Sequence, residues 1–192
     1  MQLNEKHCVV IGAGVVGQLL SARLHESGCK VVVGARPHQA AALREHGIRL
    51  RGQGEASPRA ITGVPAVECI EASVDAADYV FLAVRSDQLA GAISTLSAVE
   101  GLGAVPVVCC PLWRSGVALL DRRFPRWDYL LPGFNGVFED GVVRYQPGTT
   151  RTGPLAPPDN PGNRELAELL TEAGLKARHD PGLLTFFNRS LP

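Results

Sequence analysis

Short, uninterrupted apolar runs recur along the chain and are separated by stretches with helical spacing. Cys8-Val-Val-Ile11, Lys30-Val-Val-Val33, Tyr79-Val-Phe-Leu-Ala-Val84 and Val105-Pro-Val-Val-Cys-Cys110 are each four to six residues long. Runs of that length predict strands buried on both faces, as in a parallel sheet. Between them, Val16, Leu20 and Leu24 fall on one face of a helix that Gly28 would stop. A shorter helix is expected over Gln39–His46, ending at Gly47, and another from Gln88 to about Leu96, with Ser86 or Asp87 as its N-cap. Ile48-Arg-Leu-Arg51 alternates apolar and basic residues, as a half-exposed edge strand would. Residues 53–66, rich in Gly, Pro and Ser, read as a loop or irregular hairpin on the sheet edge, and Pro111–Gly116 as a loop beyond a strand end.

From Tyr129 the texture changes. Leu130–Val137, a turn at Glu139-Asp-Gly141, Val142–Gln146 and Thr149–Gly153 suggest strands joined by tight turns. A helix over Asn163–Ala173 carries Leu166, Leu169 and Leu170 on one face, Gly174 stops it, Leu175–Arg178 reads as a last strand, and Leu183–Asn188 begins an apolar helical turn. The fold class these patterns imply is α/β: a Rossmann-like, doubly wound, mainly parallel sheet with an antiparallel C-terminal extension. At 192 residues the chain suits a single domain, with a βαβ core over 1–128 and the antiparallel extension and helix over 129–180.

Composition sharpens this picture in two respects. Lys+Arg and Asp+Glu each number 19, so no global field attracts nucleic acid or an anionic membrane, and neither is expected as a partner. Arg122-Arg-Phe-Pro-Arg-Trp127, basic with interleaved aromatics, is too short on a neutral chain to argue for nucleic acid. The five cysteines, Cys8, Cys29, Cys69, Cys109 and Cys110, form no Cys-x-x-Cys pair and read as small buried residues in a reducing compartment. Cys109 and Cys110 are strand neighbours that face opposite ways, which argues against a thiol centre. With no signal-like opening and no long apolar run, a cytoplasmic protein is expected. No metal site is expected.

The candidate chemistry lies at Gly12-Ala-Gly-Val-Val-Gly17. A strand that enters a Gly-x-Gly-x-x-Gly turn and leaves as a helix suits a pyrophosphate. Gly12 permits the turn, Gly14 lets backbone approach the ligand, Gly17 lets helix pack on strand, and the helix directs its unpaired amides at the phosphates. Arg36, at the end of the second strand and 19 residues after Gly17, falls where the ribose selector should stand. Arginine there, where an acid would take the ribose hydroxyls, favours a 2′-phosphate, hence NADP over NAD. His38 could assist or lie on the surface; Arg49 and Arg51 could form an adenosine-side patch or the wet face of an edge strand. Val84, Arg85 and Gln88 follow the central strand, where ligands of open parallel sheets bind; Arg85 itself is open between cofactor contact and solvent. Trp113 could stack on a nicotinamide or cap a loop.

These residues resemble the ketopantoate reductase family, in its N-terminal NADP-binding domain. The matching stretches are Ile11-Gly-Ala-Gly-Val-Val-Gly17, Arg36, Phe81-Leu-Ala-Val-Arg-Ser-Asp-Gln88, and Asp140-Gly-Val-Val143 leading to Thr152-Gly-Pro154. The resemblance implies NADP(H) as cofactor and hydride transfer to a 2-oxo acid, with Gly12, Ala13, Gly14, Val15, Val16, Gly17, Arg36, Val84, Arg85 and Gln88 at the cofactor. It also marks departures: lysine is usual where Arg85 stands, Asn-Gly where Leu112-Trp113 stands, and the family's catalytic lysine aligns near Asn188. Residues 181–192 then read as the stub of a missing helical domain. Apolar Phe186, Phe187 and Leu191 would be covered by a second copy in a homodimer or by a separate helical partner. No catalytic residue is assigned and the proton donor is unknown: Tyr145, His179 and Asn188 are each too weakly placed to take that role, and asparagine cannot serve as a general acid. The activity expected is NADP-dependent oxidoreduction of a small 2-oxo acid or related carbonyl, the alternative a non-catalytic NADP-binding module or one half of a split assembly.

Overall fold

The computed structural model describes residues 3–99, 102–110, 114–147, 153–155, 162–175 and 177–178. Its main sheet is built from β1 (His7–Ile11), β2 (Lys30–Gly34), β5 (Ala66–Val67), β6 (Tyr79–Leu82), β7 (Val107–Cys109), β8 (Trp127–Leu131) and β11 (Gly153–Leu155). These lie in the order β11-β8-β7-β6-β1-β2-β5. Six are parallel and β11 alone runs antiparallel, on β8. The apolar runs are strands because both their faces are buried. Cys8, Val10, Phe81, Val108 and Leu130 pack on one side with α1 (Val15–Glu26) and α6 (Gly162–Glu172). Val9, Val80, Leu82, Val107 and Trp127 pack on the other with Leu89, Ile93 and Leu96 of α4 (Ser86–Ser97). Each fully buried aliphatic or aromatic side chain contributes about 1.5–3 kcal/mol, so this two-sided core holds the helices on both faces of the sheet.

A second, mixed sheet has the order β4-β3-β10-β9, from β3 (Ile48–Gly52), β4 (Arg59–Ile61), β9 (Phe134–Glu139) and β10 (Val142–Pro147). It packs on α1 from the side opposite the main sheet: Leu19 and Ala22 meet Ile48, Leu50, Ile61 and Val143, while Leu20 and Leu24 face the main core. The helix α1 is therefore buried on two sides. The β9–β10 turn is Asp140-Gly141, with φ of 52° and 72°. Two left-handed residues in a two-residue loop match the twist of the flanking strands, as Asp-Gly predicts.

Several sequence expectations are corrected here. Residues 48–52 are no edge strand, because β3 is paired on both sides, antiparallel with β4 and parallel with β10. The strand expected over 130–137 is two strands in different sheets: β8 completes the parallel series, the chain crosses at Pro132-Gly133, and β9 starts the hairpin. The loop expected over 111–116 gives way to α5 (Arg114–Arg123), and the expected last strand over 175–178 is reduced to an isolated bridge at Ala177. The α4 N-cap is Arg85, one residue before the expected Ser86 and two before Asp87. Gly28 and Gly174 do end their helices, at φ of 101° and 76°. Leu112, Trp113, residues 149–152 of the strand expected to end at Gly153, His179 and 181–192, with the helical turn, stub and apolar tail expected there, lie outside the described residues.

Candidate functional site

The strand order reverses direction between β1 and β6, since the chain runs β1, β2, β5 one way and then returns to β6 on the other side of β1. Ligands of open parallel sheets bind at such a switch, beyond the carboxyl ends of the strands. A cavity of about 620 Å³ lies there. Backbone hydrogen bonds draw its mouth together: Gly12 N–H donates to the Gly34 carbonyl at 2.9 Å, and Ala83 N–H to the Ile11 carbonyl at 2.8 Å.

The three motif glycines occupy three different environments. Gly12 has φ of 109°, and a Cβ on it would stand 2.5 Å from the Ala83 carbonyl oxygen, so the turn and the closeness of β6 both demand glycine. A Cβ on Gly17 would stand 1.8 Å from the Gly12 carbonyl oxygen, so this glycine is what lets α1 meet the turn. Gly14 differs. Its φ of −83° suits any residue, and nothing lies within 4 Å of where a Cβ would be; that open space is the cavity it lines. Gly14 is also the N-cap of α1 and offers no side chain to the first amides, so the positive helix end faces outward with its N–H groups to give. A buried side chain, Gln18, holds the turn by donating from Nε2 to the Ala13 carbonyl at 2.8 Å.

Gly12, Ala13, Gly14, Arg36, Val84, Arg85 and Gln88 converge on this one cavity. Val15, Val16 and Gly17 stand behind it: Val15 packs toward the second sheet, Val16 toward the main core, and Gly17 is buried against the turn. Arg36 is exposed, at the N-cap of α2 (Pro37–His46). Its position at the end of β2 puts a cation at one wall of the cavity. His38 is exposed and absent from the lining. Arg85 is held by a bidentate pair with Asp87, Nε to Oδ1 at 2.9 Å and Nη2 to Oδ2 at 3.0 Å. Asp87 thus serves Arg85 and the positive helix end instead of capping. The Gln88 side chain is tied to the same turn, its Oε1 accepting from Arg85 N–H at 3.4 Å.

Sequence reasoning missed part of the lining. Ala92 and Thr95 continue the Gln88 face of α4 at helical spacing, a signal that was available. Glu68 and Ile70, between the two-residue strand β5 and the short helix α3 (Glu71–Val74), had none. Ile70 also closes on Gly34, where a Cβ would stand 2.5 Å from Ile70 Cγ2. Glu68 accepts from Arg44 Nη2 at 3.0 Å, which draws this carboxylate toward α2. Arg51 and Tyr145 line a different cavity, and Arg49 lines neither. Cys109 and Cys110 are buried, the first pushed up to about 12 by desolvation and the second higher still, so both thiols stay protonated and inert. Among the described residues no His, Cys, Asp and Glu side chains gather into a metal-binding group, and no helix is long and apolar enough to cross a membrane.

The family profile described as ketopantoate reductase PanE/ApbA matches residues 8–110, more than half of the chain. The chain belongs to the ketopantoate reductase family. No curated protein sequence matches it. A PanE/ApbA family ketopantoate reductase from Ralstonia eutropha JMP134 superposes with a TM-score of 0.75 at 22% identity, covering 91% of this chain and 56% of that one. A 2-dehydropantoate 2-reductase from Geobacter metallireducens GS-15 gives 0.71 at 18% identity, covering 91% and 57%. A D-mandelate dehydrogenase, solved with NADH and anilino(oxo)acetate, gives 0.72 at 18% identity, covering 92% and 58%. This chain therefore spans under three-fifths of the length of each of these three family-like structures, and the likeness to them is one of fold.

Proposed function

We propose that the chain is an NADP(H)-binding protein of ketopantoate-reductase type, whose cofactor lies in the cavity at the β1/β6 switch. The observation that carries this reading is the contrast among the glycines: Gly12 and Gly17 are dictated by packing, whereas Gly14, at the N-terminus of α1, opens onto the cavity at the strand ends. Gly12, Ala13 and Gly14 then meet the pyrophosphate, with Val15, Val16 and Gly17 setting the helix behind them. Arg36 takes the 2′-phosphate as a charge-assisted fork, and Val84, Arg85 and Gln88 flank the nicotinamide half. Bound NADPH supplies a hydride. The residues of this chain bind and orient it, and the reaction is hydride transfer to a small 2-oxo acid or related carbonyl. The proton donor is unassigned: Tyr145 lines the other cavity, with its hydroxyl accepting from Arg23 at 2.8 Å.

A second reading is a non-catalytic NADP-binding module, or one half of an assembly completed by a second copy or a separate helical partner. Arg85 favours it: the family usually has lysine there, and the guanidinium is already engaged by Asp87. One assay separates the readings. Isolated chain is mixed with NADPH and a panel of 2-oxo acids, and the loss of nicotinamide absorbance is followed. Turnover supports the reductase, cofactor binding without turnover the module, and absence of binding contradicts both.

A further inference from the structure

The second sheet carries a cavity of about 670 Å³, lined by Arg51, Glu55, Asn135, Val137, Arg144 and Tyr145 among others, that shares no residue with the cavity at the strand ends. From its geometry we infer a second ligand site, one that takes the oxyanion group of a small organic phosphate or carboxylate. Arg144 and Arg51 are register partners on the parallel strands β10 and β3. Paired residues on adjacent strands share a face about 4.8 Å apart, where two like charges repel. Local counter-charge answers this only in part. Arg144 pairs with Glu139 at 3.2 Å, but both side chains are about half exposed, at 49% and 53%. Arg51 Nε donates to the Glu55 backbone carbonyl at 3.0 Å, a neutral acceptor, while the Glu55 carboxylate accepts from the Gly52 N–H at 2.7 Å.

The arrangement is held in place. The Glu55 carbonyl orients the Arg51 fork; Tyr145, the neighbour of Arg144 on β10, turns its ring to the opposite face, where the Arg23 guanidinium sits 5.6 Å from its centroid and anchors the strand against α1. A single oxyanion between the two forks would accept from both and cancel their repulsion. The amide of Asn135 supplies a neutral donor at the rim, and Val137, 52% exposed, offers an apolar surface to the rest of the ligand. This assignment stands apart from the cofactor reading, since neither cavity borrows a residue from the other.

The test is a titration of the ¹⁵N-labelled full chain with inorganic phosphate and, separately, with succinate, against sodium chloride at matched ionic strength. The amides of Gly52, Gly54 and Gly136 should shift saturably while those of Gly12 and Gly14 stay in place. Saturation with phosphate alone identifies a phosphorylated ligand; saturation with succinate brings in carboxylates. Arg51→Gln and Arg144→Gln should each weaken binding about tenfold, the loss of one charge-assisted bond. Shifts that chloride reproduces, shifts confined to Gly12 and Gly14, no saturable shift with either anion, or folded variants that bind like the parent would each overturn the site. If a variant fails to fold, the map on the parent chain decides alone.

Discussion

Gly14 and Arg36 are where the cofactor reading is most exposed to test at the scale of single residues. Because a Cβ at Gly14 meets nothing in the protein, Gly14→Ala should fold with stability within about 1 kcal/mol of the parent, the cost of a poorer N-cap. Its affinity for NADPH should nevertheless fall about tenfold or more, as titration calorimetry beside a urea melt would show. Arg36→Ala should weaken NADPH by a similar factor, because a charge-assisted bond is worth about 1.5–3 kcal/mol, and leave NADH unchanged. Asp128 makes a prediction unconnected with the ligand. It is 1% exposed on β8, and burial pushes its carboxyl up to about 7. The folded state therefore binds a proton that the unfolded chain, titrating near 3.9, releases. The sign follows: stability is full below about pH 4 and declines as pH rises through 7. Asp128→Asn should remove that decline, gaining on the order of 4 kcal/mol over the parent at pH 8 but little at pH 4 in matched urea melts. A parent whose stability does not decline between those values would contradict the assignment.

At the scale of elements, the sequence was most readable where the cause is local. The strand-turn-helix at 7–26, the αL stops at Gly28 and Gly174, and the Asp140-Gly141 turn each follow from the residues that form them. The second sheet was not readable, because the β3–β10 pairing joins residues 50–52 to 143–145, and no local pattern states which strand a half-exposed run will join. The helix α5 was hidden by Pro111, Ser115 and Gly116, which read as loop, while the burial of Leu120 and Phe124 against α4 and β8 is a tertiary effect. The same packing removes Phe124 and Trp127 from the surface, so the basic-aromatic stretch there has no exposed rings to stack on bases. The junction of β1, α1 and β6 gives the sharpest element-scale prediction. Gly17→Ala should destabilise by about 3 kcal/mol or more, since its methyl would overlap the Gly12 carbonyl and force α1 off the sheet. A Gly17→Ala protein that melts like the parent would mean that this contact yields more easily than the geometry implies.

Over the whole molecule, the candidate site was legible as far as the strand-end rule reaches. Gly12, Gly14, Arg36, Val84, Arg85 and Gln88 come together although 76 residues separate the first from the last, because a doubly wound sheet brings the ends of β1, β2 and β6 to one place. Glu68 and Ile70 escaped notice since β5 is only two residues long and owes its position to β2. The family match over residues 8–110 rests on this same region. The chain spans 56–58% of the three reductase and dehydrogenase structures described above, which makes binding, and not turnover, the property to measure first. Calorimetric titration of the isolated chain with NADPH and with NADH tests the central claim most directly. The account requires one NADPH per chain, bound about tenfold or more tightly than NADH; no NADPH binding, or equal affinity for the two, would contradict it.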